Sequence, residues 1–283
     1  MTTTISNLNV KAQIKHLGAE LFSLQNNENK EFIWEGNDAF WGKHSPILFP
    51  IVGTLKNNMY YYQGKEYYLS RHGFAREMEF QLIEKSENSA TFSLTSSIET
   101  RRVYPFDFEL QICYSLEENK LNIDYKIINN NDSILPFSIG AHPAFALSKP
   151  FESYALSFDY NEVLTSYELK NDLLSDTTEI IEMTANEVPL RYSLFEKDAL
   201  IFKKLKSKSI TILEHKNPML RVRFDNFPNL GIWTKNDAPF LCIEPWVGYS
   251  DTIHSSGNIL EKEGIQLVEA HQLIRYNFSI EIL

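Results

Sequence analysis

The stretch DFELQICYSLEENKLNIDYKI, residues 107–127, decides the fold class of this 283-residue chain. Apolar and polar residues alternate on both sides of the polar break EEN at 117–119. A period of two is typical of strands that bury one face, and a short polar break between two such strands indicates an antiparallel hairpin. The stretch therefore predicts a β-hairpin that covers a hydrophobic core.

The same alternation recurs along most of the chain. Short polar breaks such as SENS (86–89) and NNND (129–132) separate the runs, which include NVKAQIKHL, EMEFQLIEK, ATFSLTS, SITIL, MLRVRF and FSIEIL. Helical periodicity is scarce, with single turns predicted in TRRVYPF (100–106) and SLFEKDA (193–199). No linker or internal repeat divides the sequence. We therefore predict an all-β, antiparallel fold and a single domain over residues 1–283.

Composition excludes several function classes. Hydrophobic residues make up 43% and aromatic residues 13%, which predicts an aromatic-rich core, while the net charge of −10 argues against a nucleic-acid partner. Cys113 and Cys242 lie far apart and outside any metal-ligand spacing, which predicts a reducing, cytoplasmic location. The N-terminus lacks a signal-peptide pattern, and prolines interrupt the longest apolar run, PILFPIV (46–52). We expect neither secretion nor membrane insertion.

Three segments concentrate residues suited to proton transfer: RHGFAR (71–76), GAHPAF (140–145) and LCIEPWVGYSD (241–251). Glu244 lies in a stretch that is otherwise apolar, and burial raises a carboxyl pKa towards the value that a general base needs near neutral pH. The alternative is a carboxylate that pairs with an arginine or caps a turn. Sequence alone leaves both interpretations open.

His72 and His142 each lie beside turn-forming residues. His72 fits a hydrogen-bonded structural residue in a turn, whereas His142 follows a strand-like run and precedes a proline, where irregular backbone often carries function. With Glu244, the two imidazoles suit either proton transfer or a zinc site. No HxH or HExxH spacing supports the metal, and no GxSxG motif supports a nucleophile.

The ordered motifs GAELFSL, FPIVG, HGFAR, GAHPAF and CIEPW resemble the aldose 1-epimerase (galactose mutarotase-like) family, in particular its divergent bacterial branch, which also resembles hexose-6-phosphate epimerases. The resemblance runs from about Ile14 to the C-terminal strand. It implies a large antiparallel β-sandwich, the supersandwich. It also implies interconversion of the α and β anomers of a pyranose without cofactor or metal.

By this resemblance, His142 is the general acid that protonates the ring oxygen and Glu244 is the base that takes the proton of the anomeric hydroxyl. The ring opens to the aldehyde, the first carbon–carbon bond rotates, and reclosure gives the other anomer. His72 is expected to hold a sugar oxygen. We expect the carboxylate to raise the pKa of His142, and the imidazolium to lower that of Glu244.

Other positions complete the expected site. By the resemblance, Thr54 replaces an arginine that the family commonly carries after the FPxxG-like segment, so either Lys56 or Arg76 substitutes for it or the substrate is held differently. Asp198 matches a mid-chain aspartate that binds sugar hydroxyls, although it also fits a turn before the strand ALIF. Three aromatic residues beside the motifs are expected to pack on the apolar face of the sugar ring: Phe74, Phe145 and Trp246. For at least one of them, packing in the core is the expected role instead.

Cations near the motifs suggest a phosphate pocket, formed by Arg71, Arg76, Lys43 and Lys56. Ordinary surface charge is the alternative.

The sequence therefore predicts a cofactor-independent aldose 1-epimerase for a hexose or hexose phosphate, acting as a monomer or homodimer. Two other hypotheses stay open. One is a sugar-binding or sugar-sensing protein without turnover, which the missing arginine motivates, and the other is metal-assisted chemistry at the histidines.

Overall fold

Antiparallel strands make up nearly all of the regular secondary structure in the computed structural model, which describes residues 1–283. In chain order the strands are β1 (Thr2–Ser6), β2 (Val10–Lys15), β3 (Leu21–Asn26), β4 (Ile47–Leu48), β5 (Met59–Tyr62), β6 (Lys65–Tyr68), β7 (Gln81–Lys85), β8 (Ser89–Thr95), β9 (Phe108–Glu117), β10 (Lys120–Asn129), β11 (Leu135–Phe137), β12 (Ile139–Ala141), β13 (Ala144–Ala146), β14 (Tyr154–Phe158), β15 (Leu164–Lys170), β16 (Leu173–Ile181), β17 (Glu187–Pro189), β18 (Leu200–Phe202), β19 (Ser209–Glu214), β20 (Asn217–Arg223), β21 (Asn229–Trp233), β22 (Phe240–Val247), β23 (Gln266–Val268) and β24 (Leu273–Ile282).

Helical structure is confined to short segments. The α-helix α1 (Ile98–Val103) begins at Ser97, whose side chain accepts a hydrogen bond from the Thr100 N–H. The 3-10 turns are Lys56–Asn58, Ala75–Glu77, Phe151–Ser153, Tyr192–Phe195 and Ile259–Glu261. Both predicted helical turns are therefore present, near 100–106 and near 193–199. No helix combines the length and the hydrophobicity that crossing a bilayer requires.

The 107–127 stretch forms the hairpin β9–β10, as its alternation predicts. Leu121 pairs with Leu116 and Ile123 pairs with Tyr114, so the apolar side chains of both strands share one face. Burial alternates residue by residue along the two strands. This regular register fixes which face of the surrounding sheet lies on the core.

Two large antiparallel sheets form the body of the protein. One contains nine strands in the order β17-β14-β19-β20-β24-β10-β9-β8-β7, and the other runs β16-β15-β18-β21-β22-β12-β4, with β13 also paired to β22. Smaller sheets are β1-β2-β3, β5-β6 and β11-β23. A continuous cluster of buried apolar side chains joins the two large sheets and includes Ile123 of β10 and Ile243 of β22. The predicted antiparallel β-sandwich is confirmed.

β22 differs from the other long strands because every one of its residues is buried. Leu241, Ile243 and Val247 belong to the cluster that joins the sheets. Side chains alternate across a strand, so Glu244 and Trp246 lie on the opposite face of the sheet. That second face is covered by the functional site instead of by solvent.

Candidate active site

A cavity of about 760 Å³ lies against this second face of β22. Its volume falls within the usual range for small-molecule sites. The charged and aromatic residues that line it are Trp41, Arg71, His72, Arg76, His142, Phe195, Glu196, Lys197, Asp198, Trp233, Lys235, Glu244 and Trp246. Six of the eight predicted site residues are therefore brought together here: His72, Arg76, His142, Asp198, Glu244 and Trp246.

Strand register places His142 opposite Glu244. Gly140 of β12 pairs with Trp246, and Ala144 of β13 pairs with Cys242, both on β22. His142 lies in the gap between β12 and β13, and the same register continued through the gap reaches Glu244. The resulting distance from His142 Nε2 to Glu244 Oε2 is 3.3 Å.

Aromatic rings hold the His142 imidazole on two sides. Trp41 stacks on it at a centroid distance of 4.7 Å and an interplanar angle of 27°. Trp233 meets it edge-on at 5.8 Å. Because both rings also line the cavity, the imidazole is held in place while its exposed fraction of 12% faces the cavity.

Glu244 is a buried carboxyl group with only 1% of its side chain exposed. Its Oε2 atom has no hydrogen-bond partner, since the contact to His142 is close but not aligned as a hydrogen bond. Burial raises the pKa of Glu244 well above its ordinary value, and the positive charge of Arg71 partly opposes this rise. A buried carboxyl group with an open lone pair, facing a cavity, is suited to exchange a proton with a ligand.

Burial also controls the ionisation of His142. Burial, together with the positive charges of Arg71 and Arg76, lowers the pKa of His142 to about 3. The expected mutual stabilisation of an imidazolium and a carboxylate is therefore wrong for this cavity, because desolvation of each charged form outweighs their attraction. Burial therefore favours the neutral forms of both groups, the protonated carboxyl of Glu244 and the neutral imidazole of His142, over the ion pair.

His72 forms part of a tight turn and also lines the cavity. Its φ of 68° and the φ of 70° at Gly73 place two consecutive residues in the left-handed region. A Cβ on Gly73 would lie 2.3 Å from the carbonyl oxygen of Phe49, so this turn requires glycine. The structural and functional interpretations of the HGFAR motif are therefore compatible.

Two hydrogen bonds lock His72 to the FPIVG segment. The His72 N–H donates to the Gly53 carbonyl oxygen at 2.8 Å, and the Gly53 N–H donates to His72 Nδ1 at 3.1 Å. Nδ1 faces this N–H donor, while Nε2 faces the Nε donor of Arg71 at 3.3 Å. Burial, with the nearby His142, Arg71 and Arg76, lowers the pKa of His72 well below its ordinary value, so the ring is neutral. The His72 and His142 ring centroids are 6.0 Å apart.

Two glycines make room for the Trp246 indole. An added Cβ would lie 2.6 Å from the ring at Gly140 and 2.5 Å from it at Gly231. These glycines lie on β12 and β21, the two neighbours of β22, so the indole extends across the sheet on both sides. Its Nε1 atom is buried without a hydrogen-bond partner.

Arg71 and Arg76 supply positive charge at the cavity wall. Arg76 Nη2 donates to the Arg71 carbonyl oxygen at 2.8 Å, and Arg71 Nη1 lies 3.2 Å from the Asp172 carboxylate. Arg71 also approaches His72, with its Nε atom 3.3 Å from His72 Nε2. The Arg76 Nε atom is buried without a hydrogen-bond partner.

Asp198 lies on the opposite wall, between the Tyr192–Phe195 turn and β18. Its φ of 92° is in the left-handed region, and its Oδ1 accepts a hydrogen bond from the Ala199 N–H at 2.7 Å. Asp198 therefore combines both sequence interpretations, because it is a turn residue and it lines the cavity. Its charge also contributes to the raised pKa of Glu244.

Two of the predicted substrate-binding residues lie elsewhere. Phe145 is fully buried in the core, because it pairs with Leu241 of β22 and shares the core-facing side of the sheet. Lys56 Nζ donates to the carbonyl oxygens of Ile253 and Ser255, outside the cavity lining. Both assignments are corrected. Phe74 likewise packs against the core, and neither Lys43 nor Thr54 lines the cavity.

Sequence reasoning missed the aromatic residues that position His142. Trp41 lies in the loop before β4, and Trp233 lies at the end of β21, each about 100 residues away from His142 in the chain. The available signal was rarity: the chain has four tryptophans, and three of them line the cavity. Lys235 and Asn236, just after Trp233, were also missed.

Known proteins resemble this chain in sequence and in fold. The sequence profile of the aldose 1-epimerase family matches residues 1–265. The chain is 37% identical over 277 residues to the plasmid-encoded protein LacX of Lactococcus lactis subsp. lactis, covering 92% of each chain. A galactose mutarotase related enzyme from Lactobacillus acidophilus superposes with a TM-score of 0.94 at 33% identity, covering 100% of this chain and 97% of that one.

A galactose mutarotase-like protein from Lactobacillus casei ATCC 334 superposes with a TM-score of 0.95 at 30% identity, covering 100% of both chains. The family profile and these relatives span nearly the whole sequence, including the β22 strand and all three motifs that meet in the cavity. The chain therefore belongs to the aldose 1-epimerase family, and it is an isomerase.

Proposed function

We propose that the protein interconverts the α and β anomers of a hexose or hexose phosphate, with His142 and Glu244 as the acid–base pair. The observation that carries the proposal is the distance of 3.3 Å between His142 Nε2 and Glu244 Oε2 at the cavity wall. Anomer exchange requires proton transfer at two oxygens bonded to the same carbon. An acid and a base a few ångströms apart can reach both oxygens at once.

One proton in the pair is enough for the reaction. When His142 carries that proton, the reactive form is a Glu244 carboxylate base beside a His142 imidazolium acid. Glu244 then takes the proton of the anomeric hydroxyl while His142 protonates the ring oxygen. The bond between the anomeric carbon and the ring oxygen breaks, and a carbonyl group forms.

Rotation about the first carbon–carbon bond then presents the other face of the carbonyl. Reclosure reverses both proton transfers, so the pair again holds one proton and no cofactor is consumed. His72 lies beside this pair, at a ring-centroid distance of 6.0 Å from His142, and supports the step by contacting a sugar oxygen. Trp41 and Trp233 keep the imidazole oriented throughout.

Substitution of either member of the pair tests the proposal. We expect H142N and E244Q each to lower the rate of anomer exchange by about 10²–10⁴-fold, the usual contribution of one general acid or base. The measurement is saturation-transfer NMR between the anomeric protons of glucose, galactose and glucose 6-phosphate. Far-ultraviolet circular dichroism checks that each variant keeps the fold.

His254 provides a matched control. Its Nε2 lies 2.7 Å from the Asp176 carboxylate, so it also forms a histidine–carboxylate pair, but both side chains are exposed. We expect H254N to exchange anomers at the wild-type rate. If the wild-type protein binds a sugar in calorimetry yet leaves its exchange at the spontaneous rate, the protein is a sugar-binding protein and the catalytic proposal is wrong.

The two arginines support the phosphorylated substrate. Arg71 and Arg76 line the cavity, and the buried Arg76 Nε has no hydrogen-bond partner, while guanidinium groups bind phosphate through charge-assisted hydrogen bonds. We expect R76Q to lower kcat/KM for glucose 6-phosphate at least about 10-fold more than for glucose, since a hydrogen bond to a charged group contributes about 1.5–3 kcal/mol. The control is R101Q, which removes an arginine paired with Asp107 outside the cavity. Equal losses for the two sugars would exclude a phosphate contact at Arg76.

A further inference from the structure

A buried cysteine adjoins the proposed acid–base pair and has no role in the reaction. Cys242 precedes Glu244 by two residues on β22, so both side chains point to the same face of the sheet. One ligand atom from each of His142, Cys242 and Glu244 lies within 4.8 Å of the others. The strands hold this trio in place, because Cys242 pairs with Ala144, two residues after His142 in the chain.

The chemistry of the trio matches zinc. Zn²⁺ accepts sulfur, nitrogen and oxygen ligands, and zinc sites that react with small molecules have three protein ligands and one open position. Zinc bonds of about 2.0–2.3 Å in a tetrahedron place ligand atoms roughly 3.3–3.5 Å apart. His142 Nε2 and Glu244 Oε2 already lie 3.3 Å apart. The Cys242 sulfur lies within 4.8 Å of its two partners, so it has to move towards them by about 1 Å at most to reach the spacing of a zinc site.

Charge balance favours the metal in this buried position. A thiolate, a carboxylate and a neutral imidazole together neutralise Zn²⁺, so the complex places no net charge in the apolar wall. The Oε2 atom of Glu244, which is 1% exposed, has no hydrogen-bond partner and is free to coordinate. His142 and Glu244 both line the cavity, which gives the ion a route of entry and the fourth position a route to solvent.

We propose that His142, Cys242 and Glu244 form a zinc site that binds one ion at the cavity wall and blocks the acid–base pair. The ion occupies the lone pairs through which His142 and Glu244 exchange protons with the sugar. Zinc is therefore a reversible inhibitor that competes with the substrate. The binding stands independently of the reaction, whereas the inhibition rests on the proposed function.

Calorimetric titration with zinc chloride tests the binding on the full-length, chelator-treated protein. We expect wild type to bind one ion in the cavity and C242A to bind it at least about 10-fold more weakly. Even the loss of a residue that only supports a metal ligand typically weakens metal affinity by that factor. Cys113 on β9 is the matched control, because it lies in the other large sheet. We expect C113A to bind zinc as wild type does.

Cobalt substitution gives a readout that needs no stable variant. Co²⁺ bound to a thiolate produces a charge-transfer absorption in the near ultraviolet, which we expect in wild type and C113A and not in C242A. Cobalt-loaded wild type without this band overturns the proposal. Zinc affinity unchanged in C242A also overturns it and assigns the ion to exposed pairs such as His271 with Asp132.

Anomer exchange then tests inhibition separately. We expect saturating zinc to abolish anomer exchange in wild type and C113A, and a chelator to restore it. The reference for each protein is its own exchange rate in chelator. Thiolate-dependent zinc binding in a protein that exchanges no sugar even in chelator would contradict the proposed function alone. Full exchange in the zinc-loaded protein would contradict the inhibitory role.

Discussion

β10 and β22 are both interior strands of large antiparallel sheets, but they bury their residues differently. Along β10, buried side chains alternate with side chains that reach solvent. Along β22, all residues are buried, because one face lies on the core and the other lies on the cavity wall. When the alternation of buried and exposed residues disappears around a carboxylate, the strand therefore indicates that a cavity lies against the second face of the sheet.

The two strands also differ in how they satisfy polar groups. Asn122 of β10 lies on the partly exposed face of its sheet. Glu244 and Trp246 of β22 each keep a buried polar atom without a hydrogen-bond partner. An unsatisfied buried group costs about 1–3 kcal/mol, a cost that proteins typically retain where function requires it.

The largest expected difference between β22 and β10 is the loss of stability when a side chain on the face away from the core is truncated to alanine. We expect W246A to lower the free energy of unfolding by about 3–5 kcal/mol, as for other buried tryptophans, although Trp246 lies on the face away from the core. The corresponding change on β10, N122A, should stay within about 0.5 kcal/mol. Urea denaturation measures both. Similar small losses for the two variants would show that the second face of β22 is not packed.

A methyl group at Gly231 tests the packing around the indole. Its Cβ would lie 2.5 Å from the Trp246 ring, so we expect G231A to lower the free energy of unfolding by about 1–3 kcal/mol through overpacking. The double variant G231A/W246F has a smaller ring and should lose less than the sum of the two single variants. Additive losses in this double-mutant cycle would mean that the glycine is needed for another reason.

The smallest effect concerns acidification. The unfolded chain protonates His142 below its ordinary pKa of 6.5, whereas the folded protein keeps it neutral down to about 3. The unfolded state therefore binds the extra proton, and His142 should destabilise the fold by about 2 kcal/mol as the pH falls from 6.5 to about 5. H142N should lose correspondingly less stability over this range, in urea denaturation at each pH.

Strand alternation predicted the fold because it depends only on neighbouring residues. The three motifs supplied His72, His142 and Glu244, but periodicity could not assign Phe145 to its face, since that required the register of β13 against β22. Lys56 was misassigned because a long side chain can turn away from a motif beside it in sequence. Trp41 and Trp233 contact His142 only after distant segments meet.

The ionisation of the pair was equally inaccessible from sequence. Both residue types were recognised, but the sign of each pKa shift depends on how much water the fold removes. Burial lowers the pKa of His142 and raises that of Glu244, and both shifts oppose the mutual attraction that adjacency alone suggests. Only the folded cavity fixes the balance between these effects.

The tryptophan arrangement has an optical consequence. Three of the four tryptophans line the cavity, and Trp41 stacks directly on His142. Indole emission depends on local polarity and on quenching by neighbouring groups, so three of the four indoles lie where a ligand in the cavity would change their emission. The molecule thus contains a built-in spectroscopic probe, which reports occupancy of the cavity without a label and in real time.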